Sequence, residues 1–189
     1  MRRALLLLPL LLTWARAGGT EPIARADVLR WVPGVVRASV SAVDPARLES
    51  YTAKLQVNVR GAPVQVYLTT GANPDAVALG VDRINTVMAW VPAAVPSPAQ
   101  QEAVTRVALT YLRVCARVSP AQAAQIQALA RQDWQKQVGF QEKWIGPFKL
   151  GWADGDGLNI GDKDRAGMTA DWPAAQSRCL FSVPTAPVW

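Results

Sequence analysis

The sequence predicts an α+β domain: a mainly antiparallel sheet with a two-helix insertion packed on one face. Three observations carry this expectation. Residues 51–69 alternate apolar and polar side chains around an Arg-Gly-Ala-Pro turn. Residues 97–130 hold two Ser-Pro-Ala-Gln starts, each followed by a helical apolar stripe. After Gly139 the period-two pattern returns. Strands, then helices, then strands is the order of an α+β chain.

The chain opens with a leader for export. Met1-Arg2-Arg3 is a basic n-region, Ala4 to Leu12 is apolar, and Ala15-Arg16-Ala17 is a small-x-small cleavage site. This is the signal-peptide pattern, and the apolar run is too short for a membrane span. Residues 1–17 are read as the signal and 18–189 as one domain with a Pro-rich C-terminal tail. The expected location is periplasmic or secreted, with no transmembrane anchor left after cleavage. Cleavage leaves 172 of the 189 residues, enough for a self-sufficient core. Losing Arg2, Arg3 and Arg16 lowers the formal charge from +6 to +3. The remaining basic residues are scattered, so no nucleic-acid partner is expected.

Residues 18–50 read as a lead-in with a turn at Pro33-Gly34 and a helix turn at Asp44-Pro45. Tyr51, Ala53, Leu55, Val57 and Val59 alternate with polar residues, as do Val64, Val66 and Leu68. The two runs form a hairpin through Arg60-Gly61-Ala62-Pro63. A short apolar stretch spans Val77 to Val81. Ile84 to Val91 is a third strand, and the Pro-rich stretch 92–98 links sheet to helices.

Ser97-Pro98-Ala99-Gln100 and Ser119-Pro120-Ala121-Gln122 are capping boxes with Pro at the first helical position. In the first helix Val104, Val107, Ala108, Tyr111, Leu112 and Cys115 form one buried stripe. Glu102 and Arg106 pair one turn apart on another face. The second helix buries Ala123, Ile126, Leu129 and Ala130, and the short junction makes the helix pair angled or antiparallel. Phe148, Leu150 and Trp152 then mark a strand, as do Leu158 and Ile160, with Asp154-Gly155-Asp156-Gly157 as the turn between them. Cys179 opens a last short strand.

Two cysteines in an exported chain predict one disulfide, Cys115–Cys179. Closing that loop stabilises the fold by about 4 kcal/mol. It requires Cα atoms within roughly 7 Å.

Histidine is absent, which excludes Ser-His-Asp and Cys-His nucleophilic systems and the usual His-containing zinc sites. No cofactor is expected. Asp154, Asp156, Asp162, Asp164 and Asp171 place five of fourteen acids within eighteen residues. This segment reads as a turn followed by a polar loop. An ion site at Asp154, Asp156, Asp162 and Asp164 is the weaker alternative, because Leu158, Asn159 and Arg165 depart from the EF-hand calcium loop at its fifth, sixth and twelfth positions. Among the tryptophans, Trp90 and Trp152 lie on apolar-patterned strands and belong to the core. Trp144 and Trp172 stand beside Gly-Pro or Pro and are the candidates to stack on a ligand ring. A carboxylate pair for glycoside hydrolysis would combine Glu142 with Asp154 or Asp171.

These readings point to an exported, non-catalytic binding or envelope-associated module with an envelope or glycan ligand. A carbohydrate-active enzyme using carboxylates and a calcium-stabilised module are the alternatives.

Overall fold

The computed structural model describes residues 22–40, 51–72, 82–134, 141–153 and 165–180. Seven strands form one sheet: β2 (Val35–Val40), β3 (Tyr51–Val59), β4 (Ala62–Gly71), β5 (Thr86–Val91), β6 (Gln141–Ile145), β7 (Phe148–Ala153) and β8 (Ala166–Asp171). Their spatial order is β2-β3-β4-β5-β8-β7-β6, and every pairing is antiparallel. Two helices, α1 (Pro98–Cys115) and α2 (Pro120–Trp134), lie between β5 and β6 in the chain. The fold is therefore α+β, as the alternation and the capping boxes predict.

The β3–β4 hairpin turns on two residues, with Val59 opposite Ala62. Arg60 and Gly61 both have positive φ, 53° and 87°. Two left-handed residues match the right-handed twist of the flanking strands. Ala53, Leu55, Val57 and Val59 are buried, and so are their partners Val64, Val66 and Leu68. The period-two pattern thus decides which face meets the core.

Both capping boxes form. Ser97 Oγ accepts from the Gln100 N–H at 3.3 Å, and the Ser97 N–H donates to Gln100 Oε1 at 2.8 Å. Ser119 and Gln122 repeat the exchange at 3.2 and 3.0 Å. The α1 stripe from Val104 to Cys115 is fully buried. It lies against β3, β4, β5 and β8, while α2 packs on α1, β6 and β7. Small core-facing residues, Ala53, Ala89, Ala166 and Ala170, line the sheet beneath α1. The Glu102–Arg106 pair forms at 2.5 Å, and Arg60 joins it at 3.2 Å.

Several elements escape the sequence reading. The lead-in holds a two-residue strand β1 (Ile23–Ala24), a 3₁₀ turn (Asp27–Trp31) and the edge strand β2. Edge strand β6 precedes the predicted β7. Most consequential is β8, Ala-Gly-Met-Thr-Ala-Asp, which pairs with both β5 and β7 inside the sheet. Its end lies in the segment read as a polar loop. Composition gives β8 little intrinsic strand preference; pairing on two sides and burial under α1 supply the rest.

At the end of the molecule where α1 stops, Cys115 and Cys179 form a disulfide with Cα atoms 5.1 Å apart. Both are fully buried. The bond holds β9 (Cys179–Leu180), which pairs in parallel with β1. Among the described residues, no helix is long and apolar enough to cross a membrane. The signal segment, the Asp44-Pro45 turn, Val77 to Val81, the Leu158–Ile160 strand and the C-terminal tail lie outside the described residues.

Candidate functional site

One face of the sheet meets α1; the alternate side chains form an outer face that no described helix covers. Strand register assembles a row across it. Trp144 on β6 stands opposite Lys149 on β7, Lys149 opposite Asp171 on β8, and Asp171 opposite Thr86 on β5. Residues directly opposite in an antiparallel pair share a face and touch. Glu142, two residues before Trp144, lies in the adjoining row opposite Gly151.

Burial divides this row sharply. Trp144 is 65% exposed, on a strand whose Ile145 turns inward and is buried. An exposed tryptophan at this level is unusual, because the indole is a large apolar surface that packing normally covers. Lys149, Asp171 and Thr86 are half-buried, and Glu142 is exposed.

The charges are arranged in sequence around Lys149. Its Nζ lies 2.6 Å from Glu142 Oε1. The Glu142 hydrogen bond holds the Lys149 ammonium above its ordinary pKa, against the opposing effect of burial. Asp171 behaves oppositely to a paired surface acid. Burial raises its pKa, and the Thr86 hydrogen bond and the Lys149 charge only partly offset this. The row thus offers a flat aromatic ring, an ammonium held by one carboxylate, and a second, half-buried carboxyl whose pKa burial raises. These groups accept and donate hydrogen bonds next to an apolar plane.

Of the residues singled out in the sequence, the structure brings Trp144, Glu142 and Asp171 to this one face. Trp172 is corrected: it is 2% exposed and belongs to the core. The reason is strand β8. Ala166, Met168 and Ala170 point to the core, and Trp172 continues their period just past the strand end. Its backbone exchanges hydrogen bonds with Asn85, from Trp172 N–H to Asn85 O and from Asn85 Nδ2 to Trp172 O, both at 3.0 Å. The same alternation puts Asp171 outward. Trp152 is in the core, as expected. Trp90 is buried on the opposite side of the sheet from α1, between the core-facing Ala89 and Val91. It stacks on Tyr67 at 5.7 Å between centroids, with the Arg165 guanidinium 5.9 Å from its ring. Only 8% of Trp90 is exposed, so this stack is packing rather than a platform.

Asp154, Asp156, Asp162 and Asp164 lie outside the described residues. Lys149 and Thr86 were not singled out in the sequence. Their positions follow only from register: the Phe148-Leu150-Trp152 alternation turns Lys149 outward, but its meeting with Asp171 requires β8.

Hollows lie elsewhere among the described residues. One of about 920 Å³ is bounded by the start of α1 and by Arg131 of α2. Its acid, Glu102, is already taken by Arg60 and Arg106, and its Ser97 and Gln100 are committed to the helix cap. Another, of about 470 Å³, lies at the β2–β3–β4 end of the outer face, beside Arg37, Lys54 and Gln65. No family model, no curated protein and no solved structure matches this chain.

Proposed function

We propose that the chain is an exported binding module, periplasmic or secreted, that recognises a glycan of the cell envelope on the outer face of its sheet. The observation that carries the reading is Trp144, exposed and in register with Lys149 and Asp171. An indole plane stacks on the apolar face of a sugar ring, and flanking carboxylates, an ammonium and a hydroxyl bind its hydroxyl groups. The leader sequence supports export, and the disulfide fits an oxidising compartment.

The test is calorimetric titration of the full mature chain with a soluble β-1,4-linked N-acetylglucosamine tetrasaccharide and with a purified peptidoglycan digest. Saturable binding to one of them is expected, weakened about tenfold or more by Trp144→Ala, as loss of a central aromatic anchor does. Absence of saturable binding to both, or equal binding by the variant, overturns the reading.

One observation favours the carbohydrate-active enzyme as a second reading. Asp171 has a raised pKa and Glu142 lies on the far side of Lys149. Glycoside hydrolysis uses two carboxyl groups, the acid partner having a raised pKa. Release of reducing ends from the same oligosaccharides, abolished by Asp171→Asn, would establish it; unchanged oligosaccharides would dismiss it.

A further inference from the structure

We propose that the hollow at the disulfide end of the molecule binds a phosphate group. It is independent of the outer sheet face. The hollow, of about 550 Å³, is bounded by Arg83, Arg117 and Arg178, together with Gln122 in the first turn of α2, Pro147 of the β6–β7 turn and Phe148 at the start of β7. Three arginines line it, and among the described residues no carboxylate does. Among the described residues, none of the three arginines forms an ion pair. With no opposite charge among the described lining residues, the three like charges favour an entering anion.

Two of the three arginines are fixed by the fold. Arg83 donates from one Nη to the Ser177 carbonyl at 2.5 Å. Arg178 donates from Nε to the Val114 carbonyl at 2.6 Å, and its backbone N–H to Cys115 O at 3.1 Å. A guanidinium carries five N–H donors, so each bond holds the group in place and leaves most donors for a ligand. Donors held before the ligand arrives lose less freedom on binding.

The third, Arg117, makes no hydrogen bond or ion pair among the described residues. It is exposed in the junction between α1 and α2, with φ at +57°. That left-handed conformation normally falls to glycine. Glycine would satisfy the backbone here; the arginine adds a charge beside the hollow.

Planar guanidiniums match the oxygens of phosphate in paired hydrogen bonds. The volume falls within the range of small-molecule sites, about 300–1,000 Å³, and exceeds what a bare phosphate fills. The phosphate can come free or as the phosphoryl group of a small molecule, and two probes distinguish these sources.

The full mature chain is titrated calorimetrically with inorganic phosphate and with glucose 6-phosphate, at low and high sodium chloride. Saturable binding that weakens with salt is expected for at least one probe. Tighter binding of glucose 6-phosphate assigns the site to a phosphoryl group on a carrier; equal binding assigns it to free phosphate. Arg117→Gly relieves the left-handed backbone, so its melting temperature stays level or rises while affinity falls about tenfold or more. Arg117→Lys keeps the charge, loses the fork and falls between the two. No saturable binding of either probe, or unchanged affinity in Arg117→Gly, overturns the proposal.

Discussion

Replacing both Cys115 and Cys179 by alanine removes the one covalent tie between the end of α1 and the C-terminal segment. The bond closes a loop with a sequence separation of 64. Its release adds chain entropy to the unfolded state worth about 4 kcal/mol at 25 °C. The native state is affected unevenly. β9 has two described residues, and it depends on few bonds: Ile23 N–H to Arg178 O at 2.9 Å, Ile84 N–H to Cys179 O at 3.0 Å, and Arg25 N–H to Leu180 O at 3.3 Å. So short a pairing has little stability of its own. Urea denaturation should place the variant about 4 kcal/mol below wild type, a midpoint shift of about 2 M for a slope of about 2 kcal/mol per molar. Native-state hydrogen exchange should show the Ile23 and Ile84 amides opening locally, while amides in the middle of α1 still exchange only through global unfolding. A loss below about 1 kcal/mol, or protection that falls equally at all these amides, would refute the staple's assigned role.

Other substitutions probe separate parts of the account. Gly34 has φ of +82°, and an added Cβ would lie 2.5 Å from the Asn58 carbonyl oxygen, so Gly34→Ala should cost about 2–3 kcal/mol by chemical denaturation. A cost near zero would mean that the contact between the turn before β2 and the end of β3 yields easily. The Asp171 carboxyl has a raised pKa in the folded chain, so its contribution to stability is fully present below the ordinary value of 3.8 and is lost as pH rises through the folded value. Asp171→Asn should therefore gain stability relative to wild type as pH rises above 3.8, measured by urea midpoints across pH; a relative loss over that window would reverse the sign of the burial argument. Ser97→Ala deletes the acceptor for the Gln100 N–H and should cost about 1 kcal/mol by the same assay. No measurable cost would show that the cap contributes nothing to α1.

Where a local rule dictates the structure, the sequence is readable. Strict alternation from Ala53 to Val59, and from Val64 to Leu68, fixes the hairpin and its buried face. Ser-Pro-Ala-Gln satisfies the first donors of a helix whatever the helix packs on, so both helix starts can be read directly. The disulfide follows from two cysteines, one on a buried helical stripe. Strand β8 obeys no such rule. Ala166, Gly167 and Ala170 carry almost no strand preference, and the strand exists because β5 and β7 bond it from both sides. The errors at the site come from that one omission. Without β8, Trp172 stands beside a proline as a surface ring; with it, period two buries Trp172 and turns Asp171 outward. Trp144 is legible because Gly146-Pro147 marks a turn next to it. Lys149 is not, because its significance lies in partners on two neighbouring strands.

Backbone amide chemical-shift mapping during titration with the soluble tetrasaccharide tests the central claim most directly. The account predicts concentration-dependent shifts centred on the amides of Trp144, Lys149 and Asp171 and the Trp144 indole N–H, with the amides of α1 unmoved. Shifts confined to α1 and α2, or a Trp144 indole that does not respond at saturation, would contradict it.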